Sequence, residues 1–190
     1  AAMFPELNAF PLSELQGGET RRLKPGQVTH VTNAASCVAE SLKSNQNYDM
    51  RATAKIYARW CELAPDVPAP LKATIAAMKS GRPVETLGRQ LWLESGQTLK
   101  DNTALSRAVP IGVFMAGHRE ARITAAFRDC GVTHFAPICQ LSSAIVSGVV
   151  AAAIMCVDEH LTAEGIAKTA HDELTLSASL LAQMQPNWAH

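Results

Sequence analysis

Apolar side chains recur every three or four residues along most of this chain, and short turns rich in proline, glycine and serine separate these stretches. Such spacing places the apolar side chains on one face of an α-helix. Alanine is very common, which favours close-packed helices. No stretch of useful length alternates strictly between apolar and polar residues, as a half-buried strand would. The sequence therefore predicts an all-α fold.

Capping residues, prolines and glycines set the bounds of the predicted helices. Asp49 is a candidate N-cap, Pro110 requires its helix to begin late or to kink, and Gly131 suits a C-terminal cap. The predicted helices lie around residues 33–42, 50–63, 71–78, 84–92, 105–115, 118–129 and 137–157.

The last predicted helix begins at Thr162 or Ala163. The apolar spacing predicts an inner face made of Ile166, Ala170, Leu174 and Leu181. Two acidic groups on and before this helix, Asp158–His160 and His171–Glu173, contain residues that can bind metals. We interpret both as solvated helix ends.

The longest uncharged run, Ile138–Val157, follows a proline at the expected first position of a helix. It is long enough to span a bilayer. However, it contains Gln140 and three serines, it is rich in alanine rather than leucine, and no Lys or Arg flanks it closely. We therefore predict a central apolar helix surrounded by other helices, with no membrane span; a span over Ile138–Val157 is the alternative.

The composition of the chain indicates which kinds of partner and which cellular compartment to expect. A chain of 190 residues with zero formal net charge fits one domain and shows no electrostatic footprint for nucleic acid or an anionic membrane. Charged residues make up 18%, which is low for a soluble domain and predicts a protein partner or another copy of the chain. Five cysteines without a C-x-x-C pair predict reduced thiols in an intracellular, reducing compartment. The cytoplasm is the default, and an organelle reached by a removed targeting segment is the alternative.

Residues 1–27 lack helical periodicity. Phe4-Pro5 and Phe10-Pro11 combine an aromatic side chain with a backbone that proline restricts, and Gly17-Gly18 offers a hinge. This pattern predicts an extended N-terminal arm, residues 1–27, ahead of an all-α domain over residues 28–190. A frayed terminus is the alternative.

The segment WLESGQTLKDNTALSRAVPIGVF resembles a motif of the ADP-ribosylglycohydrolase family, in which a Trp-containing helix precedes G-N-G-x-L-M-R-x-x-P-I-G. Six positions stand in that order, namely Asn102, Leu105, Arg107, Pro110, Ile111 and Gly112. GVTHFAP resembles the family's T-H turn before its central helix. Upstream, VTHVTNAASCVAESL resembles the family's T-D-D-T and the helix after it, and the helix that ends in IYARW matches the family's pattern at Tyr57 and Trp60. The resemblance covers roughly residues 25–160.

This resemblance implies an all-α fold and hydrolysis of ADP-ribose from modified side chains, with two magnesium ions held by carboxylates. The T-D-D-T position reads Thr29-His30-Val31-Thr32, so both acids are replaced. No G-D-A-x-G motif occurs in residues 1–28, and no G-G-D-T-D occurs before His190. Magnesium prefers oxygen ligands in octahedral geometry, which histidine and valine do not supply. We therefore expect a fold truncated at both ends, without the family's magnesium and without other cofactors.

The resemblance also points to ligand contacts that survive without metal. Candidate ligand-binding residues are Asn102, Thr103 and Arg107 in the loop, His134 in the T-H turn, and His30 in the former metal pocket. A structural role in helix capping or packing is the alternative for each histidine. A Cys139–His134 thiol–imidazole pair is a weaker candidate. No Walker loop, Rossmann glycine pattern or G-x-S-x-G elbow occurs.

These observations predict a catalytically inactive ADP-ribosylglycohydrolase-like domain that serves as a structural or interaction subunit of a larger assembly. One alternative is a metal-independent module that binds ADP-ribose or a related nucleotide. Another is a residual hydrolase acting on ADP-ribosylated substrates, against which the residues His30-Val31 argue.

Overall fold

A computed structural model describes residues 24–64, 66–156 and 162–185. These ranges contain eight α-helices and one 3-10 turn, and no strand. The helices are α1 (His30–Asn45), α2 (Met50–Leu63), α3 (Ala69–Lys79), α4 (Val84–Glu94), α5 (Ala108–Phe114), α6 (Arg119–Gly131), α7 (Pro137–Met155) and α8 (Ala163–Met184). The prediction of an all-α fold is confirmed.

The predicted bounds are correct for α2 but too narrow for α1. Helix α2 begins and ends where the sequence predicts, and the Asp49 side chain accepts a hydrogen bond from the Ala52 N–H at 2.9 Å. Helix α1 extends three residues further at each end than predicted. Its first N–H, on His30, donates to the Asp66 carboxylate at 2.8 Å, so a distant side chain satisfies it. Local capping signals therefore placed the start of α1 too late.

Proline shapes the entry to α5, as expected. Leu105–Arg107 forms a 3-10 turn, and α5 begins only at Ala108, so Pro110 is its third residue. A proline in the first turn removes no helical hydrogen bond, because the first N–H groups have no partner within the helix.

The prediction that Gly131 caps α6 is wrong. Gly131 is the last residue of the helix, and the cap is Val132 in a right-handed conformation. The chain continues into a tight turn in which the His134 N–H donates to the Cys130 carbonyl at 2.8 Å. The close packing here depends on Gly88 of α4, because a Cβ built on Gly88 would lie 1.7 Å from the Gly131 carbonyl oxygen, whereas a Cβ built on Gly131 would make only an ordinary 3.7 Å contact with Phe135.

Helix α7 is the centre of the fold, and α5, α6 and α8 pack on it. Small residues let these backbones approach. A Cβ built on Gly112 of α5 would lie 2.5 Å from the Ser147 carbonyl oxygen, and one built on Gly148 would lie 2.3 Å from the Cγ of Glu173 on α8. In the part of the chain that the structure describes, α7 is the one helix long and apolar enough to cross a membrane by length and composition. Its packing against three helices is typical of a core helix.

The inner face of α8 is rotated from the predicted one. Leu181 is buried as expected, but Ile166 and Leu174 are exposed, while Glu173 and Ser177 are buried. Glu173 receives two hydrogen bonds of 3.0 Å from the buried guanidinium of Arg122 on α6. The interpretation of Glu173 as a solvated helix end is therefore wrong. An ion pair, which apolar spacing cannot indicate, sets the face that α8 turns inward.

Two further expectations concern the cysteines and the N-terminal arm. All five cysteines are free thiols. Residues 1–23 of the predicted arm, and the acidic group at 158–160, lie outside the described residues. Residues 24–27 form a turn in which the Gln27 N–H donates to the Lys24 carbonyl at 3.0 Å.

Candidate functional site

The candidate site lies where the turn between α6 and α7 meets the loop before the 3-10 turn. The turn supplies Thr133 and His134, and the loop supplies Asp101 and Thr103. His134 is almost fully buried, whereas the Asp101 side chain is 48% exposed. A buried imidazole is thus joined to the surface by one carboxylate.

The hydrogen bonds around the imidazole are compatible with one tautomer of the neutral ring. Arg107 donates to Thr133 Oγ1 at 2.9 Å, and Thr133 Oγ1 lies 2.8 Å from His134 Nδ1. Because Arg107 can only donate, the hydroxyl proton is free to point at Nδ1. The proton of the neutral ring then sits on Nε2 and is donated to Asp101 Oδ1 at 2.9 Å. Burial, and then the charge of Arg107, lower the pKa of His134, in agreement with a neutral ring.

Asp101 is held as a carboxylate by its own loop. It accepts hydrogen bonds from the Thr103 N–H at 2.9 Å and from the Thr103 hydroxyl at 2.6 Å. Partial burial opposes ionisation, but these bonds and His134 lower the pKa of Asp101 on balance. The exposed part of this carboxylate can therefore accept hydrogen bonds from a ligand's hydroxyl groups.

A buried ion pair holds Arg107, and through it Thr133 and His134, in place. Arg107 Nε lies 2.8 Å from Asp129 Oδ2, and both side chains are almost completely buried. Asp129 Oδ1 accepts hydrogen bonds from the hydroxyls of Tyr57 at 2.9 Å and Tyr48 at 3.3 Å. The Arg107 guanidinium also lies 5.4 Å from the centre of the Tyr57 ring. Burial opposes the charge of Arg107, but Asp129 raises its pKa above the usual value, so the guanidinium stays charged.

The structure brings together three of the five predicted ligand-binding residues. Thr103 Oγ1 lies 3.3 Å from His134 Nε2, and Arg107 reaches His134 through Thr133. Asn102 is exposed in the same loop, where its carbonyl accepts the Leu105 N–H at 3.1 Å. His30 is engaged elsewhere, because its Nδ1 lies 3.4 Å from Asp66 Oδ2.

Sequence reasoning missed Asp101 and Asp129. Asp101 stands two residues before Thr103, the spacing of an Asx turn, and this signal could have found it. Asp129 gives no comparable signal, because its partner Arg107 lies 22 residues away in the chain. Only the fold shows that this pair is buried together.

The described residues do not fit the magnesium site that the family resemblance implies. At the start of α1, Thr29 caps the helix without a side-chain hydrogen bond, and Val31 is exposed. The nearby carboxylate of Asp66 is already bonded to the His30 N–H. Within residues 24–64, 66–156 and 162–185, no three His, Cys, Asp or Glu side chains converge as a metal site would require.

The candidate pair of Cys139 and His134 is not supported by the thiol's surroundings. The Cys139 thiol points to the Asp101 carbonyl oxygen, 3.6 Å away. Burial, and then the charge of Asp101, raise the pKa of this thiol. A raised pKa disfavours the thiolate, which is the nucleophilic form.

Comparison with known proteins identifies the family. No curated protein sequence matches the chain. The family model described as ADP-ribosylglycohydrolase matches residues 3–188 of the 190 residues. The match includes the loop, the turn and all eight helices of the described part. The chain therefore belongs to the ADP-ribosylglycohydrolase family.

Proposed function

We propose that the chain is a catalytically inactive ADP-ribosylglycohydrolase-like domain that serves as a structural or interaction subunit of a larger assembly. The observation that carries this proposal is the start of α1, where His30 and Val31 stand in place of two acids. The carboxylate of Asp66 beside them accepts a hydrogen bond from the first N–H of the helix. Two magnesium ions would need several free oxygen ligands at this place.

The retained polar residues support a scaffold role. A buried network of hydrogen bonds and one ion pair joins the 3-10 turn to α2, α6 and the turn before α7. Its members are Arg107, Asp129, Tyr57 and Thr133. Such a network has a structural use that does not depend on turnover. A chain that lost its metal ligands would therefore still need these residues to fold.

Exposed apolar side chains at both ends of α7 support a role in an assembly. Ile138 is 59% exposed near its N-terminal end, and Ile154 and Met155 are 48% and 60% exposed near its C-terminal end. Large apolar side chains that cluster on a surface are typical of a contact with another protein. A protein partner or a second copy of the chain is the proposed occupant, and we infer that α7 is a core helix rather than a membrane span.

Calorimetry with ADP-ribose and magnesium tests the loss of function. We expect no heat of magnesium binding and no effect of magnesium on any binding of ADP-ribose. Release of ADP-ribose from a modified arginine substrate should stay at the uncatalysed rate with or without a chelator. Tight binding that requires magnesium, or turnover that the chelator abolishes, would contradict the proposal.

A metal-independent ADP-ribose or nucleotide module is the second candidate. The half-exposed Asp101 carboxylate favours it, since carboxylates accept hydrogen bonds from ribose hydroxyls. In buffer that contains a chelator, Asp101→Asn should weaken the binding of ADP-ribose at least tenfold. Asp172→Asn should leave this binding unchanged, because Asp172 is exposed on α8. Equal affinities of the two variants would remove this candidate.

A further inference from the structure

An apolar groove runs between α1 and α5, away from the candidate site. Its volume is about 380 Å³. One wall consists of small residues on one face of α1, among them Thr32, Ala35 and Ala39, and the other of Val109, Val113 and Phe114 on α5. No charged side chain lines it. Such a groove suits apolar side chains of a peptide segment.

Three large apolar side chains of α5 are exposed along the groove. Val113 is 53% exposed, and Val109 and Phe114 are each 42% exposed. Val31, one turn before Ala35 on the same side of α1, is 45% exposed and extends this surface towards the start of the helix. Contact with water at this many neighbouring apolar side chains is unfavourable, so a cover is expected.

The chain itself supplies a segment of suitable length and starting point. The described part begins at Lys24, six residues before α1, and the α1 wall of the groove begins at Thr32. Residues 1–23 are thus attached beside the near end of the groove. The α1 wall of the groove runs from Thr32 to Leu42, which is about 15 Å at about 1.5 Å per helical residue. Twenty-three residues exceed this span several times over.

The sequence of this segment matches the groove in chemistry. Residues 1–23 contain two phenylalanines, Phe4 and Phe10, each followed by proline, and four leucines. The family match begins at residue 3, so the segment belongs to the matched domain rather than to a separate tail. We propose that residues 1–23 of the same chain cover the groove between α1 and α5, with Phe4 and Phe10 as the anchoring side chains.

Photo-cross-linking tests this docking in the full-length chain. Phe10 is replaced by p-benzoylphenylalanine, and light and heavy isotope forms of the chain are mixed before irradiation. We expect cross-links to residues 32–39 or 109–114 within the same chain. Val113→Asp, which places a charge in the groove, should lower the yield at least fivefold, whereas Leu63→Asp at the far end of α2 should not.

The other outcomes overturn the proposal. Cross-links between light and heavy chains would show that a second copy occupies the groove. Cross-links to other parts of the chain, or an equal yield in Val113→Asp, would show that residues 1–23 dock elsewhere. If circular dichroism shows that Val113→Asp has lost helix, Ala39→Glu on the opposite wall repeats the test. Ala39 is exposed on α1, and glutamate at an exposed helical position preserves the helix.

Discussion

At the scale of single residues, the site depends on one buried charge pair. Arg107 and Asp129 are joined by a 2.8 Å ion pair in a region closed to water. Removing one partner of a buried pair leaves the other charge without compensation, which costs more than the pair contributes. The Arg107–Thr133–His134 hydrogen bonds depend on the guanidinium staying in place.

Asp129→Asn should therefore lower the free energy of unfolding by about 3–5 kcal/mol. Denaturant unfolding followed by circular dichroism measures the loss, and Asp172→Asn serves as the control, since Asp172 is exposed on α8. The control should change stability by less than about 0.5 kcal/mol. A similar small change in both variants would contradict a stabilising role of the buried Arg107–Asp129 pair.

The neutral state of His134 predicts a pH dependence of stability. Its pKa in the folded chain lies below the ordinary value of 6.5, so the unfolded chain binds a proton first as the pH falls. Stability should therefore be lost as the pH falls below about 6.5. His134→Gln should flatten the difference in unfolding free energy between pH 7.5 and 5.5, while the exposed His171→Gln should keep the parent's difference. An unchanged difference in His134→Gln would contradict the assignment.

Part of this site could be predicted from the sequence. Arg107 and His134 stand at positions of the family motifs, Thr103 lies in the same loop as Arg107, and the structure brings the three within one network. The contact of Asp101 with His134 and that of Asp129 with Arg107 could not be deduced in the same way, because these partners lie 33 and 22 residues away and motifs record only local order. Whether any of these residues contacts a ligand stays a prediction.

At the scale of elements, helix type and most bounds follow from the sequence, but the orientation of α8 does not. Helix α2 was predicted at both ends because Asp49 and a proline mark them. The apolar residues of α8 indicate a face that includes Leu174, which is exposed. The buried face instead follows Glu173, which pairs with Arg122 and also accepts a 2.8 Å hydrogen bond from Arg119.

Gly148→Ala tests this packing of α8 on α7. The added Cβ would lie 2.3 Å from Cγ and 2.5 Å from Cδ of Glu173, whose carboxylate is held by two arginines. Relieving the overlap must move Glu173 or the helix, so unfolding free energy should fall by about 1–3 kcal/mol. Gly117→Ala is the matched control, because nothing lies within 4 Å of its Cβ. Equal effects in a denaturant titration would show that Glu173 moves freely.

At the scale of the whole molecule, the groove and the two ends of α7 expose apolar side chains in the described part, and they call for different occupants. The groove between α1 and α5 lies beside the attachment of residues 1–23. The ends of α7 carry Ile138 at one end and Ile154 with Met155 at the other. If residues 1–23 cover the groove, the two ends of α7 are the apolar surfaces that stay available to a protein partner or a second copy of the chain.

If a second copy is the partner, the isolated chain should associate through the C-terminal end of α7. Sedimentation velocity over a hundredfold range of concentration should show a monomer that gives way to a larger species. Ile154→Lys with Met155→Lys should raise the dissociation constant at least tenfold, about 1.4 kcal/mol, because charge cannot be buried there unpaired. Leu63→Lys is the control, since Leu63 is 85% exposed on α2. Self-assembly would be contradicted if the chain stayed a monomer at every concentration and the double variant behaved in the same way. The partner would then have to be a different protein.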